Sequence, residues 1–130
     1  MAEALLLAIL LHRDPALVSA VYTMGGLDAV VVVEHESQFH ERAWRKEPEG
    51  TSYGLFQLYD LCHKQWREDV LLHIATGVGF LEKCKAQSGG NLARAYSRYN
   101  SGNERTSLAV GKRLERRRDS LALWLWRHLR

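Results

Sequence analysis

The feature that most constrains the fold is an apolar run that ends in acidic residues. Leu27-Asp28-Ala29 leads into four consecutive valines at positions 30–33, and Glu34-His35-Glu36-Ser37 follows them. A segment this apolar has to be covered on most of its faces, so the remainder of the chain must pack around it. Valine favours strand by propensity, whereas Asp28 could serve as the N-cap of a buried central helix. Local rules leave helix and strand open here.

The length of the chain limits what can surround this run. The 130 residues are 46% hydrophobic and 25% charged, which suits one globular domain and excludes a disordered chain, a coiled-coil rod or a membrane bundle. We therefore expect one domain over residues 1–130. The apolar start at residues 4–11 is too short to span a membrane, and Glu3 stands where a signal peptide carries positive charge. We expect it to be a core helix, with no export signal.

Capping residues and glycines predict several more helices. Asp14-Pro15 should start a helix that stops at Gly25-Gly26, and Asp69 should start a longer one that ends before Gly89-Gly90. We further expect a short helix from Asp60 to about residue 68, a helix at residues 92–99 capped by Asn91, and a turn at residues 100–103. Residues 38–58 are rich in turn residues and aromatics, which predicts a loop or a small β-hairpin. The expected fold is mainly α, with a small irregular or β segment near residues 40–58.

Charge is concentrated at the C-terminal end of the chain. Residues 104–130 hold eight basic and three acidic residues, whereas residues 1–103 hold ten basic and twelve acidic ones. We predict that residues 104–130 form a basic amphipathic helix. It could dock on anionic envelope lipid, because Trp and Leu beside Arg are typical of an interfacial helix. Alternatively, it closes the domain, packing through Leu121, Trp124, Leu125 and His128.

Few side chains in this sequence belong to a recognisable catalytic or ligand-binding motif. The sequence has no phosphate-binding loop, and Cys62 and Cys84 lack metal-ligand spacing, so we expect no cofactor and no metal. The two thiols could be free or paired. Glu34 and Glu36 end the apolar run. A glutamate held against apolar walls has a raised pKa and can donate a proton near neutral pH, as glycosidic cleavage requires. In a helix the two would point about 200° apart, so only one can face a given cleft.

Several motifs resemble those of the lysozyme-like soluble lytic transglycosylase (SLT) family, in the family's order. The segment Glu36-Ser37-Gln38-Phe39 is similar to E-S-x-F, residues 54–57 are similar to G-L-x-Q, and residues 95–102 are similar to A-x-x-x-Y-N-x-G. Residues 69–81 resemble the helix D-x-x-x-N-I-x-x-G-x-x-Y-L, with His73 at the Asn position and Phe80 at the Tyr position. Residues 14–17 resemble the opening D-P-x-L. The likeness covers about residues 14–102 and is closest to compact phage-type members.

The resemblance implies a fold, an activity and a site. It implies that residues 27–36 are helical and that Glu36, rather than Glu34, is the catalytic acid of an enzyme that cleaves peptidoglycan glycan strands. Glu36 would protonate the glycosidic oxygen and then accept the proton of the attacking sugar hydroxyl, giving a 1,6-anhydro-muramyl product. The substrate-binding residues implied are Ser37, Tyr53, Gly54, Gln57, Tyr99 and Asn100. Gly54 would let backbone approach the substrate, and Tyr99 would stack on a sugar or orient the acid.

The resemblance also bears on partners and location. The implied partner is peptidoglycan, with no specific nucleic acid, and we expect a monomer. Such an enzyme would be made in the cytoplasm and delivered to the cell wall or periplasm by other means, or carried in a virion, for bacterial lysis or wall penetration.

The sequence departs from the family pattern between Glu36 and Gly54. This stretch is a few residues longer than usual, and Arg45 stands where the family commonly has serine. Two alternatives remain open. A hydrolytic lysozyme would need a second carboxylate, for which Glu41, Glu47, Glu49 and Asp60 are candidates. The chain could instead be a non-catalytic module that binds envelope or nucleic acid.

Overall fold

The structure is a computed structural model that describes residues 2–59 and 69–129. It is mainly helical with a small antiparallel sheet, so the predicted fold class is confirmed. The elements in chain order are α1 (Ala2–Leu11), α2 (Pro15–Ser37), β1 (Trp44–Glu47), β2 (Gly50–Tyr53), β3 (Leu58–Tyr59), α3 (Val70–Gln87), α4 (Leu92–Ser101) and α5 (Leu108–His128). The short helix expected from Asp60, together with Cys62 and Trp66, lies outside the described residues.

The valine run is helical and forms the centre of the core. The Asp14 side chain caps α2 by accepting from the backbone of residues 16 and 17, with Pro15 in the first turn. The valines at positions 30–33 are 0% exposed. By length and composition α2 could span a membrane, but here its valines belong to the core of the domain. Gly26, at φ 68° and ψ −167°, kinks α2 where we expected one helix to stop.

The boundary between α4 and α5 differs from the prediction. Helix α4 continues through Asn100, where we expected a turn, and stops only at Gly102, whose φ of 84° is left-handed. Helix α5 begins at Leu108 rather than at residue 104, because the Asn103 side chain accepts hydrogen bonds from the backbone of residues 105 and 106 at 2.9 Å. This side-chain turn replaces the first expected helical turn.

Helix α5 closes the domain by packing on α2 and α4. Leu114, Leu121 and Leu125 are buried, and Trp124 packs partly buried against the same core. His128 is exposed and stacks on Trp124 with ring centroids 4.3 Å apart. Of the two alternatives for the last helix, closure of the domain thus agrees with the burial of Leu121 and Leu125 and the partial burial of Trp124, whereas His128 is exposed.

The sheet fixes which side chains face α2. Its strand order is β1-β2-β3, all antiparallel, and Arg45 pairs with Ser52 across the first hairpin. Side chains alternate between the two faces of a strand. Arg45 and Glu47 therefore lie on one face of β1, and this face is turned toward the end of α2, where Arg45 meets Glu36.

Candidate active site

The two glutamates that end α2 have different surroundings. The Glu36 side chain is only 3% exposed. Glu34 instead forms a two-pronged ion pair with Arg117 of α5, at 3.0 and 3.1 Å. The expectation that only one of them can face a given cleft is consistent with this placement. Glu36 is the buried carboxyl, and Glu34 ties α2 to α5.

Burial dominates the electrostatics of Glu36. It raises the pKa of this carboxyl, while the hydrogen bond from Tyr96 and the charge of Arg45 lower it, and nearby Glu47 raises it. The Tyr96 hydroxyl donates to Glu36 Oε1 at 3.0 Å, and Arg45 Nη2 lies 3.7 Å from Oε2. A carboxyl whose charged form is disfavoured by burial can hold a proton to higher pH than usual. Glu36 therefore has the character of a general acid.

Arg45 links Glu36 to a second carboxylate. Its Nε donates to Glu47 Oε1 at 2.6 Å, while Nη2 of the same guanidinium faces Glu36. The two partners of the pair are two residues apart on β1, which is the spacing that puts side chains on the same face of a strand. Glu47 thus holds the charge of Arg45 beside the buried acid. Strand periodicity could have revealed the Arg45–Glu47 pair, but not its contact with α2.

An open cavity of about 730 Å³ lies beside Glu36, Arg45 and Glu47. Four of the residues that the resemblance implies, namely Glu36, Gln57, Tyr99 and Asn100, line it together. Glu47 and Glu49, two of the candidate second carboxylates of a hydrolase, line it too. The other cavity residues were not expected to contact substrate; they are Arg45, Ser52, Leu58, Tyr59, Phe80, Arg98, Ser101 and Gly102.

Two amide side chains lie in the cavity wall. Nε2 of Gln57 donates to the carbonyls of Gly54 and Ala43 at 2.9 and 3.2 Å, which leaves its amide oxygen to accept from a ligand. Asn100 Oδ1 accepts from the Ser107 hydroxyl at 2.5 Å, which leaves its amide nitrogen as a donor. The wall therefore offers one acceptor and one donor, as a substrate with amide and hydroxyl groups would require.

The tyrosine that bonds the acid is Tyr96; of the two roles implied for Tyr99, stacking on a sugar stays a prediction, whereas its hydroxyl does not bond Glu36. The Tyr99 hydroxyl donates to the backbone carbonyl of Phe56, and its ring stacks on Tyr96 with centroids 6.0 Å apart. Tyr96 is buried, and His35 packs edge-on against it at 5.6 Å. The three-residue spacing places both tyrosines on one face of α4, so the spacing alone does not decide which of them reaches Glu36.

The other implied binding residues lie elsewhere. Ser37 donates back to the Val33 carbonyl at 3.2 Å, within its own helix. Tyr53 and Gly54 line a separate cavity of about 470 Å³, together with Glu41 and others. A Cβ on Gly54 would stand 2.6 Å from the His73 ring, so the space freed by this glycine is filled by His73. The expected approach of the Gly54 backbone to substrate stays a prediction.

The candidate second carboxylates are also separated by the fold. Glu47 and Glu49 line the same cavity as Glu36, whereas Glu41 lines the separate one. Asp60 lies outside the described residues. Over residues 2–59 and 69–129, no three His, Cys, Asp or Glu side chains are grouped as a metal site would require.

Comparison of the chain with protein-family models, with curated proteins and with solved structures finds no match.

Proposed function

We propose that this chain is a lysozyme-like enzyme that cleaves peptidoglycan glycan strands at the N-acetylmuramyl–N-acetylglucosaminyl bond, as a lytic transglycosylase. The observation that carries the proposal is the buried Glu36 carboxyl, held by Tyr96 at the wall of an open cavity. A glutamate on the protein surface would be neither buried nor held by a hydroxyl donor such as that of Tyr96.

The first step is protonation of the leaving oxygen. The protonated form of Glu36, which burial favours by raising the pKa of the carboxyl, gives its proton to the glycosidic oxygen as the bond to the anomeric carbon breaks. The Tyr96 hydroxyl then stabilises the carboxylate that forms, since a hydrogen bond to the charged oxygen favours it. Arg45, on the other oxygen, acts in the same direction.

The second step uses the same carboxylate as a base. Glu36 takes the proton from the hydroxyl at carbon 6 of the muramyl residue, the freed oxygen attacks the anomeric carbon, and a 1,6-anhydro ring closes. Glu36 ends the cycle protonated, as it began. The reaction therefore needs no second carboxylate and uses no water molecule.

Binding groups suited to a sugar chain surround the acid. Gln57 offers an amide oxygen and Asn100 an amide nitrogen, which match the N–H and carbonyl of N-acetyl groups. The partly exposed rings of Tyr59 and Phe80 line the same cavity. Aromatic rings provide apolar area with a fixed geometry, on which the C–H face of a sugar can lie.

A hydrolytic lysozyme is the second candidate, favoured by the presence of Glu47 in the same cavity. A hydrolase would need this carboxylate to activate water or to stabilise the sugar cation. Glu47 is instead engaged by Arg45 at 2.6 Å, which favours the single-acid reaction. We therefore place the transglycosylase first.

The test is digestion of purified peptidoglycan, with the products identified by mass spectrometry. Wild type should release fragments with anhydro-muramyl ends, and Glu36→Gln should release none. The matched control is Glu34→Gln, which removes a carboxylate from the same helix end without touching the cavity and should retain activity. Reducing ends would select the hydrolase. No release by folded wild type would refute both enzymes and favour the non-catalytic binding module.

A further inference from the structure

Helix α5 has an inner face that completes the core and an outer face that does not. Leu114, Leu121 and Leu125 point inward and are buried. Leu123 and Trp126 are on the opposite side, 47% and 56% exposed. Nearly half of the Leu123 surface and more than half of the Trp126 surface therefore lie on the outside of the helix.

The arginines of α5 divide in the same way. Arg117 is bound by Glu34, and Arg118 is bound by Asp28 and Asp119. The remaining basic residues of the helix are exposed and form no ion pair with any side chain in residues 2–59 and 69–129; they are Lys112, Arg113, Arg116 and Arg127. The inner cations thus tie the helix to the rest of the domain, whereas within residues 2–59 and 69–129 no carboxylate neutralises the outer ones.

The outer cations and the outer apolar residues share one stripe. At about 100° per residue, Lys112, Arg116, Leu123, Trp126 and Arg127 fall within an arc of about 100°, and at about 1.5 Å per residue the stripe is about 22 Å long. We call these five residues the outer stripe. Asp119 falls on the same arc and is paired with Arg118, which it shares with Asp28.

We propose that the outer stripe docks the protein on an anionic phospholipid surface. The cations would meet lipid phosphates, while Leu123 and Trp126 enter the boundary between headgroups and acyl chains, where an indole ring is well accommodated. Nucleic acid would satisfy the cations but would leave this exposed apolar pair unused. The inference does not depend on the proposed catalysis, because no residue of the outer stripe lines the cavity of Glu36.

The experiment measures co-sedimentation of the full chain with vesicles of phosphatidylcholine, with or without one third phosphatidylglycerol. Wild type should bind the anionic vesicles at least about tenfold more tightly than the neutral ones, and added salt should weaken the binding. Replacing Leu123 and Trp126 by alanine should weaken binding by at least about tenfold. Replacing Lys112, Arg116 and Arg127 by glutamine should do the same and should also remove the salt dependence.

Matched controls come from exposed residues elsewhere. Trp44→Ala removes a tryptophan that is 66% exposed on β1, and glutamine at Arg42, Lys46 and Arg105 removes the same charge from other surfaces. Both controls should bind within about twofold of wild type, since neither alters the outer stripe. All variants should keep their circular dichroism spectra and their action, if any, on lipid-free peptidoglycan.

Several results would overturn the proposal. They are equal binding of wild type to neutral and anionic vesicles, no binding to either, or control variants that lose as much as the stripe variants. Retention on duplex DNA, with no binding to vesicles, would assign the stripe to nucleic acid instead.

Discussion

Gly77 provides a test of how the fold holds the cavity wall. A Cβ at this position of α3 would lie 2.2 Å from Cγ of Phe56 and 2.5 and 2.7 Å from its two Cδ atoms. Carbon atoms in contact are normally about 3.5–4.0 Å apart, so the phenyl ring would have to move by about 1 Å or more. Phe56 is 0% exposed. Its N–H donates to His73 Nε2 at 2.9 Å and its carbonyl accepts from Tyr99, so it has little room to move.

The expected cost of Gly77→Ala is that of overpacking, about 1–3 kcal/mol. Alanine also gains about 1 kcal/mol of helix propensity over glycine. The control that separates the two effects is Gly79→Ala in the same helix, where a Cβ meets nothing within 4 Å. Gly79→Ala should therefore be more stable than wild type by up to about 1 kcal/mol. Gly77→Ala should be less stable than Gly79→Ala by about 1–3 kcal/mol.

The free energy of unfolding is measured by urea denaturation followed by circular dichroism. In a parallel thermal melt, each kcal/mol should shift the midpoint temperature by roughly 2–8 °C for a domain of this size. Because Phe56 precedes Gln57 and bonds Tyr99, Gly77→Ala should also lower glycan cleavage, while Gly79→Ala should not. Equal stability of the two variants would refute the tight contact between α3 and the cavity wall.

Three further predictions concern the surroundings of Glu36. Burial raises the pKa of Glu36 in the folded state. The contribution of Glu36 to stability is therefore complete below its unfolded-state pKa and is lost as the pH rises through its folded-state pKa. In thermal melts, Glu36→Gln should unfold at a higher temperature than wild type around neutral pH, and the difference between the two midpoints should disappear toward about pH 4. Tyr96→Phe leaves the buried carboxylate without its donor and should cost about 1–3 kcal/mol near neutral pH and less in acid, as measured by urea titration. Arg45 lowers the pKa of Glu36 and Glu47 raises it. Arg45→Gln should therefore move the alkaline limb of the activity profile to higher pH and Glu47→Gln to lower pH; shifts in the same direction would contradict the assignment.

Sequence signals were sufficient where the structure is local. Asp14, Asp69 and Asn91 each cap the helix they were expected to cap, because a side chain bonding the next turn needs no tertiary context. For the valine run the local signals conflicted, because propensity favoured strand whereas Asp28 was a possible N-cap of a buried helix. The family resemblance favoured the helix, and the structure has one there, in which Asp28 lies inside α2 and does not cap it.

Contacts between distant elements could not be read from the chain. Tyr96 and Tyr99 lie on the same face of α4, so the spacing alone could not decide which of them bonds Glu36. The contact of Arg45 with Glu36 depends on the register of the first hairpin and its angle to α2. The contact of Gly54 with the His73 ring could not be foreseen for a similar reason, since His73 comes from α3.

The most direct test of the proposed reaction is to digest purified peptidoglycan in water enriched in heavy oxygen. A single-acid reaction closes the anhydro ring with an oxygen of the substrate itself, so wild type should release anhydro-muramyl fragments that carry no label, and Glu36→Gln should release none. Fragments that carry one heavy oxygen at a reducing muramyl end would contradict the transglycosylase and show that water is the nucleophile. Unlabelled anhydro fragments released equally well by Glu36→Gln would show that another group is the acid.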